Sequence, residues 1–125
     1  MEQKQRKLPD SELEVMQAVW ACTPPVSRSE IEDYLKTRYP IAQTTLLTLL
    51  SRLAEKGFLT ASKDGRGKQY LPLVSRQDYL ASQSRRFFQK LCDGNLSDFA
   101  AALCDSGLSR EELAQLRQLL ERDAL

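Results

Sequence analysis

Three times along its 125 residues the chain repeats one helix-starting phrase: an apolar residue, a serine, two variable positions, an acidic residue and another apolar one. The copies are Val26-Ser27-x-x-Glu30-Ile31, Val74-Ser75-x-x-Asp78-Tyr79 and Leu108-Ser109-x-x-Glu112-Leu113. Serine placed there accepts from the backbone N–H two or three residues on, and the acidic side chain reaches back to the serine N–H. The flanking apolar pair packs as a staple, and the aspartate copy, being shorter, is the weakest of the three. These starts commit the chain to a mainly helical fold.

The remaining elements follow from periodicity and punctuation. A first helix is expected from Asp10, as its cap, to about Cys22, with Leu13, Met16 and Trp20 inward before the Thr-Pro-Pro break. The second runs from Ser27, buries Ile31, Tyr34 and Leu35, and stops before Pro40. The third is read from "IAQTTLLTLLSRLAEKGFL", Ile41 to Leu59, where Leu46, Leu49, Leu50 and Leu53 recur at helical spacing and Gly57 suits the C-terminal cap.

After Gly57 the period changes. "FLTAS" and "KQYLPL" are short strand-like runs separated by Lys63-Asp64-Gly65-Arg66-Gly67, a hairpin signal, and Pro72 points to an edge position for the second strand. Three helices followed by a hairpin with a basic tip is the order of a winged helix-turn-helix domain, expected over residues 1–74. Residues 75–125 then form an α-helical region: Ser75 to about Cys92, Leu96 to about Asp105, and Ser109 to Arg122. About 50 residues struggle to bury enough surface alone, so a homodimer is expected to supply the missing core. Its interface would use Leu80, Phe87 and Leu91, then Leu96, Phe99 and Leu103, then Leu113, Leu116 and Leu120.

Composition removes most alternatives. The chain has no histidine, which takes away the commonest general base and metal ligand, and it shows no glycine-rich phosphate loop, so an enzyme is not expected. Cys22, Cys92 and Cys104 form no CxxC or CxC pair, so neither a disulfide framework, a metal site nor a cofactor is expected. Cys92 and Cys104 leave open a redox switch, with inert packing the preferred reading. No apolar run suggests a signal peptide or a membrane span, which points to the cytoplasm without membrane insertion.

The formal charge is only +1, but it is unevenly spread. Residues 41–76 carry Arg52, Lys56, Lys63, Arg66, Lys68 and Arg76 against Glu55 and Asp64 alone, a net of +4, while both flanks are slightly acidic. On the third helix the face away from the leucines carries Thr44, Thr45, Thr48 and Ser51, which are poor helix formers. As the second helix of a helix-turn-helix it would lie in the major groove, where short hydroxyl side chains let the axis approach and offer contacts to bases, phosphates and thymine methyls. Gln43 is placed to pair with adenine, and Arg52, Lys63, Arg66 and Lys68 to neutralise phosphates. Leu47 lies on the border of the two faces, as boundary core or as a thymine-methyl contact; boundary core is preferred. A winged-helix module that binds protein instead of DNA is the alternative.

The phrases "LPDSELEVMQAVW", "VSRSEIEDYL", "TTLLTLLSRLAEKGFL" and "LSREELAQLRQLL" resemble, in order and spacing, the penicillinase-repressor (BlaI/MecI/CopY) family over nearly the whole chain. The most specific part is T-x-x-T-L-L-x-R-L-x-x-K-G-F at Thr45 to Phe58. The resemblance implies a dimeric winged-helix repressor whose third helix reads a palindromic double-stranded operator, with Thr45, Thr48 and Arg52 at DNA-contacting positions. It also admits a membrane sensor protease as a partner. Two departures limit the transfer: Ala101-Ala102 stand where the antibiotic-responsive repressors are cut at an Asn-Phe bond, and the chain lacks the CxC pairs of the copper-responsive branch.

Overall fold

The computed structural model of the protein describes residues 6–64 and 67–123. Its elements run α1 (Asp10–Ala21), β1 (Val26–Ser27), α2 (Arg28–Arg38), α3 (Gln43–Glu55), β2 (Leu59–Asp64), β3 (Gly67–Pro72), α4 (Arg76–Lys90), α5 (Leu96–Asp105) and α6 (Arg110–Asp123). The class is the expected one, mainly helical with a small antiparallel sheet.

All three serine starts act as caps. The Ser27 hydroxyl accepts from the Glu30 N–H while the Ser27 N–H donates to Glu30 Oε1 at 2.9 Å, and Ser109 and Glu112 repeat both bonds. Ser75 accepts from the Asp78 N–H at 3.0 Å. Ser27→Ala is expected to cost about 1 kcal/mol, seen as a fall of a few degrees in the thermal midpoint. The first helix differs: Pro9 is its N-cap and makes no side-chain bond, so Asp10 is the first helical residue rather than the cap. There Asp10 and Glu12 place negative charge in the first turn, where the helix dipole favours it.

The leucine stripe of α3 is buried as its spacing requires, with Leu46, Leu49, Leu50 and Leu53 packed on Val15, Met16, Val19, Ile31 and Leu35 in one core. Leu13, Trp20 and Tyr34 lie at the border of that core, half-buried rather than inward. The Trp20 indole explains its position: Nε1 donates to the Val74 carbonyl, which a fully enclosed ring would not reach without bringing the backbone with it. Helix α3 is shorter than the Ile41–Leu59 stretch because Gly57, at φ 82°, turns the chain. The Phe58 N–H bonds back to the Leu53 carbonyl and the Gly57 N–H to that of Ala54, a Schellman closure sealed by the buried Leu53 and Phe58. It aims the chain into β2.

The sheet has the order β1-β3-β2, with Val26 opposite Tyr70 and Ser27 opposite Gln69 on one side of β3, and Leu59 opposite Pro72 through Asp64 opposite Gly67 on the other. Strand β3 is therefore central, not an edge, and β1 was not anticipated because two residues carry no period. Pro72 is tolerated because it lies beyond the β1 pairing, where no second neighbour asks for its N–H.

The chain divides into two compact units, Met1–Gln83 and Ser84–Leu125, so the division falls inside α4 rather than at 74/75. Tyr79 is the reason. Its hydroxyl accepts from the Leu8 N–H at 2.9 Å and its ring packs 5.7 Å from Trp20 and 5.8 Å from Phe58, which ties the first half of α4 to the first unit. In the second unit Phe99 packs between Phe87 and Phe88 at 5.6 and 5.5 Å. Helix α5 begins at Leu96 behind the Asn95 cap, whose side chain accepts from the Asp98 N–H. Among the described residues no helix is long and apolar enough to cross a membrane.

Candidate nucleic-acid interface

Helix α3 presents Gln43, Thr44, Thr45, Thr48, Ser51 and Arg52 outward, all exposed, while its leucines hold the core. The Thr48 hydroxyl donates to the Thr44 carbonyl at 3.1 Å, which satisfies the hydroxyl proton on an exposed side chain and leaves its oxygen free to accept. The wing lies beside this face. Leu47, Ser51, Ala54, Ala61, Lys68 and Tyr70 line one open groove, so one flank of α3 and the hairpin share a surface. Leu47 is 39% exposed and lines this groove with the buried Leu50 and Tyr70, on the boundary between core and surface.

Lys63 and Lys68 are direct cross-strand partners, and both are exposed. Like charges facing each other across a ladder disfavour the hairpin unless an anion lies between or over them. Arg66 falls outside the described residues. Lys56 behaves differently from the other cations of the middle third: it is half-buried and pairs with the buried carboxylate of Glu12 on α1, so it is a fold cation and not part of this surface.

Arg28 joins the surface unannounced. It opens α2 directly behind the Ser27 cap and, with Ser29, Leu47, Lys68 and Tyr70, lines a second groove between α2, α3 and the wing. Its guanidinium faces the first turn of α3: with the Gln43 amide oriented to satisfy both groups, the carbonyl oxygen accepts from Nη2 at 3.0 Å and Nη1 at 3.1 Å. Arg28 Nε lies 3.4 Å from a Glu32 carboxylate oxygen without hydrogen-bond geometry. Burial raises the Tyr70 phenol above its ordinary pKa, and the charge of Arg28 acts in the opposite direction. In sequence, Arg28 was only a variable position inside a capping box; its place on the helix preceding α3 was the signal that marks it.

The expected dimer residues lie on α4, α5 and α6, with Leu91 just beyond the end of α4. Leu91, Leu96 and Leu120 are 76%, 72% and 61% exposed, Leu80 and Phe87 are exposed to a lesser degree, and Phe99, Leu103, Leu113 and Leu116 are half-buried. The single chain thus leaves part of this set in water while Phe99 packs onto Phe87 and Phe88. Cys92 is buried, Cys22 half-buried and Cys104 exposed, the last departing from the inert packing preferred for it. Burial, and secondarily the Glu30 carboxylate, raise the Cys22 thiol, which keeps it protonated and poorly nucleophilic near neutral pH.

The family model described as Penicillinase repressor matches residues 8–122. The penicillinase repressor of Bacillus licheniformis is 32% identical over 120 residues, covering 93% of each chain, and the methicillin resistance regulatory protein MecI of Staphylococcus aureus (strain N315) is 28% identical over 98% of this chain and 99% of its own. A solution structure of Bacillus licheniformis BlaI, in monomeric form in complex with the blaP half-operator, superposes with a TM-score of 0.50 at 32% identity, covering 59% of this chain and 89% of that one. With a family match from Leu8 to Arg122 and relatives alike over nearly their full length, the chain belongs to the penicillinase repressor family.

Proposed function

We propose that the protein is a sequence-specific transcriptional repressor that binds a palindromic DNA operator as a homodimer. The observation that carries this reading is the exposed polar flank of α3, where Ser51 shares a groove with Lys68 of the wing and Gln43 meets Arg28 at the first turn. In use, α3 enters the major groove with its hydroxyls and Gln43 toward base edges, and Arg52 and the wing lysines engage phosphates on either side. Repression is occupancy: the bound dimer blocks access to the operator. The related BlaI was solved in monomeric form on a half-operator, which supports one winged unit per half-site and two for a full palindrome.

Residues of the second unit supply the pairing. Leu91, Leu96 and Leu120, left in water by the single chain, would be covered by a second copy, since one self-complementary patch serves both chains. The double variant Leu91→Glu/Leu120→Glu is expected to sediment as a monomer and to lose at least tenfold in operator affinity, while keeping helical circular dichroism. A wild-type chain that stays monomeric at micromolar concentration refutes the dimer. A sensor protease acting on this chain would meet Ala101-Ala102 inside α5, where cleavage requires local unfolding first. Selection of bound duplexes from a random pool tests the whole reading: the expected result is a symmetric site with half-sites about one helical turn apart.

A further inference from the structure

Two local rules speak against arginine at position 28. It stands in the first turn of α2, where the helix dipole disfavours a cation, and its pairing with Glu32 has the basic residue N-terminal to the acid, the less favourable order. The contact that this arginine does make well is with Gln43, whose single carbonyl oxygen takes both terminal nitrogens of the fork.

We propose that Arg28 is a positioning residue for operator recognition: by occupying the Gln43 carbonyl oxygen it turns Gln43 into a donor-only reader of the major groove. This rests on the DNA-binding reading above. A free glutamine matches adenine because its oxygen accepts from N6 while its amide nitrogen donates to N7. With both oxygen lone pairs held by Arg28, only the NH2 is left to face the duplex. Its two protons suit guanine, which offers O6 and N7 side by side, or the O4 of thymine, and adenine leaves its own amino group facing donors. Arg28 thereby sets a base preference without touching the base, from the helix before the recognition helix.

The test is random-pool selection with the full chain and with Gln43→Ala, Arg28→Met and Arg28→Ala, each checked for folding by circular dichroism. Gln43→Ala identifies the half-site position by flattening its base distribution. At that position the wild type is expected to enrich guanine or thymine. Both Arg28 variants are expected to shift the ratio toward adenine by about tenfold, there and nowhere else, in line with the usual discrimination of one amide–base pair. On a Gln43→Ala background, Arg28→Met is expected to change nothing at that position. Adenine or cytosine enriched by the wild type overturns the proposal. So does an Arg28 variant that weakens all sequences equally, the mark of a phosphate contact alone, or a Gln43→Ala chain that flattens no position. If the wild type enriches no symmetric site at all, the DNA-binding reading itself has failed, which the other outcomes leave standing.

Discussion

Raising monovalent salt from 50 to 200 mM is expected to weaken operator binding by about four orders of magnitude, with log affinity falling against log salt at a slope of roughly −7. Arg52, Lys63, Arg66 and Lys68 each engaging one phosphate give a dimer about eight neutralised phosphates, each releasing close to one condensed counterion. The cross-strand pairing of Lys63 with Lys68 sharpens the expectation: two ammonium groups held opposite each other lose repulsion as well as counterions when a phosphate arrives. Lys63→Glu/Lys68→Glu is expected to flatten the slope by about four and to weaken all duplexes alike, leaving base preference intact. A wild-type slope shallower than about −2 counts against this placement of the cations. A chain that keeps its biological activity with both glutamates in place favours a protein-binding module.

The second large effect concerns the ion pair between Glu12 on α1 and Lys56 at the end of α3. Glu12 is buried while Lys56 keeps part of its side chain in water, so the two single variants are not equivalent. Lys56→Met strands a carboxylate in the core and is expected to cost about 3 kcal/mol, whereas Glu12→Leu leaves an ammonium that water reaches and costs about 1 kcal/mol. The double variant Glu12→Leu/Lys56→Met is expected to return close to wild-type stability, because the remaining side chains are apolar and similar in length. Denaturant midpoints of the four proteins check this. Equal losses in the two single variants, or additive losses in the double, contradict the assignment of Lys56 to the fold.

That assignment also explains a motif. In the Thr45 to Phe58 pattern the lysine precedes the glycine and phenylalanine of the Schellman closure, so Lys56-Gly57-Phe58 is one device: the lysine anchors α3 to α1, the glycine takes φ 82°, and the phenylalanine seals the turn. It fixes where α3 ends and where the wing departs. Counting Lys56 with the cations of the middle third was therefore too generous, since charge by segment cannot tell an internal pair from an exposed patch.

The chain's local chemistry determined a great deal unaided: the serine caps at 27, 75 and 109 and the glycine turn after α3 join residues within about six positions of each other, the leucine stripe of α3 is a helical period, and the hairpin pairs two adjacent runs of chain. Such contacts are written in spacing, and α3's hydroxyl face follows from the leucine face by the period of the helix alone. Only tertiary structure decided the rest, because those features depend on partners far along the chain. Val26 found a strand partner at Tyr70, Tyr79 was drawn into the first core by Leu8, Trp20 and Phe58, Lys56 turned inward to Glu12, and Arg28 met Gln43 across the corner between two helices. Each of these places a polar or aromatic group against a neighbour that no local period announces, and it is this long-range pairing that converts a basic segment into a shaped, addressed surface.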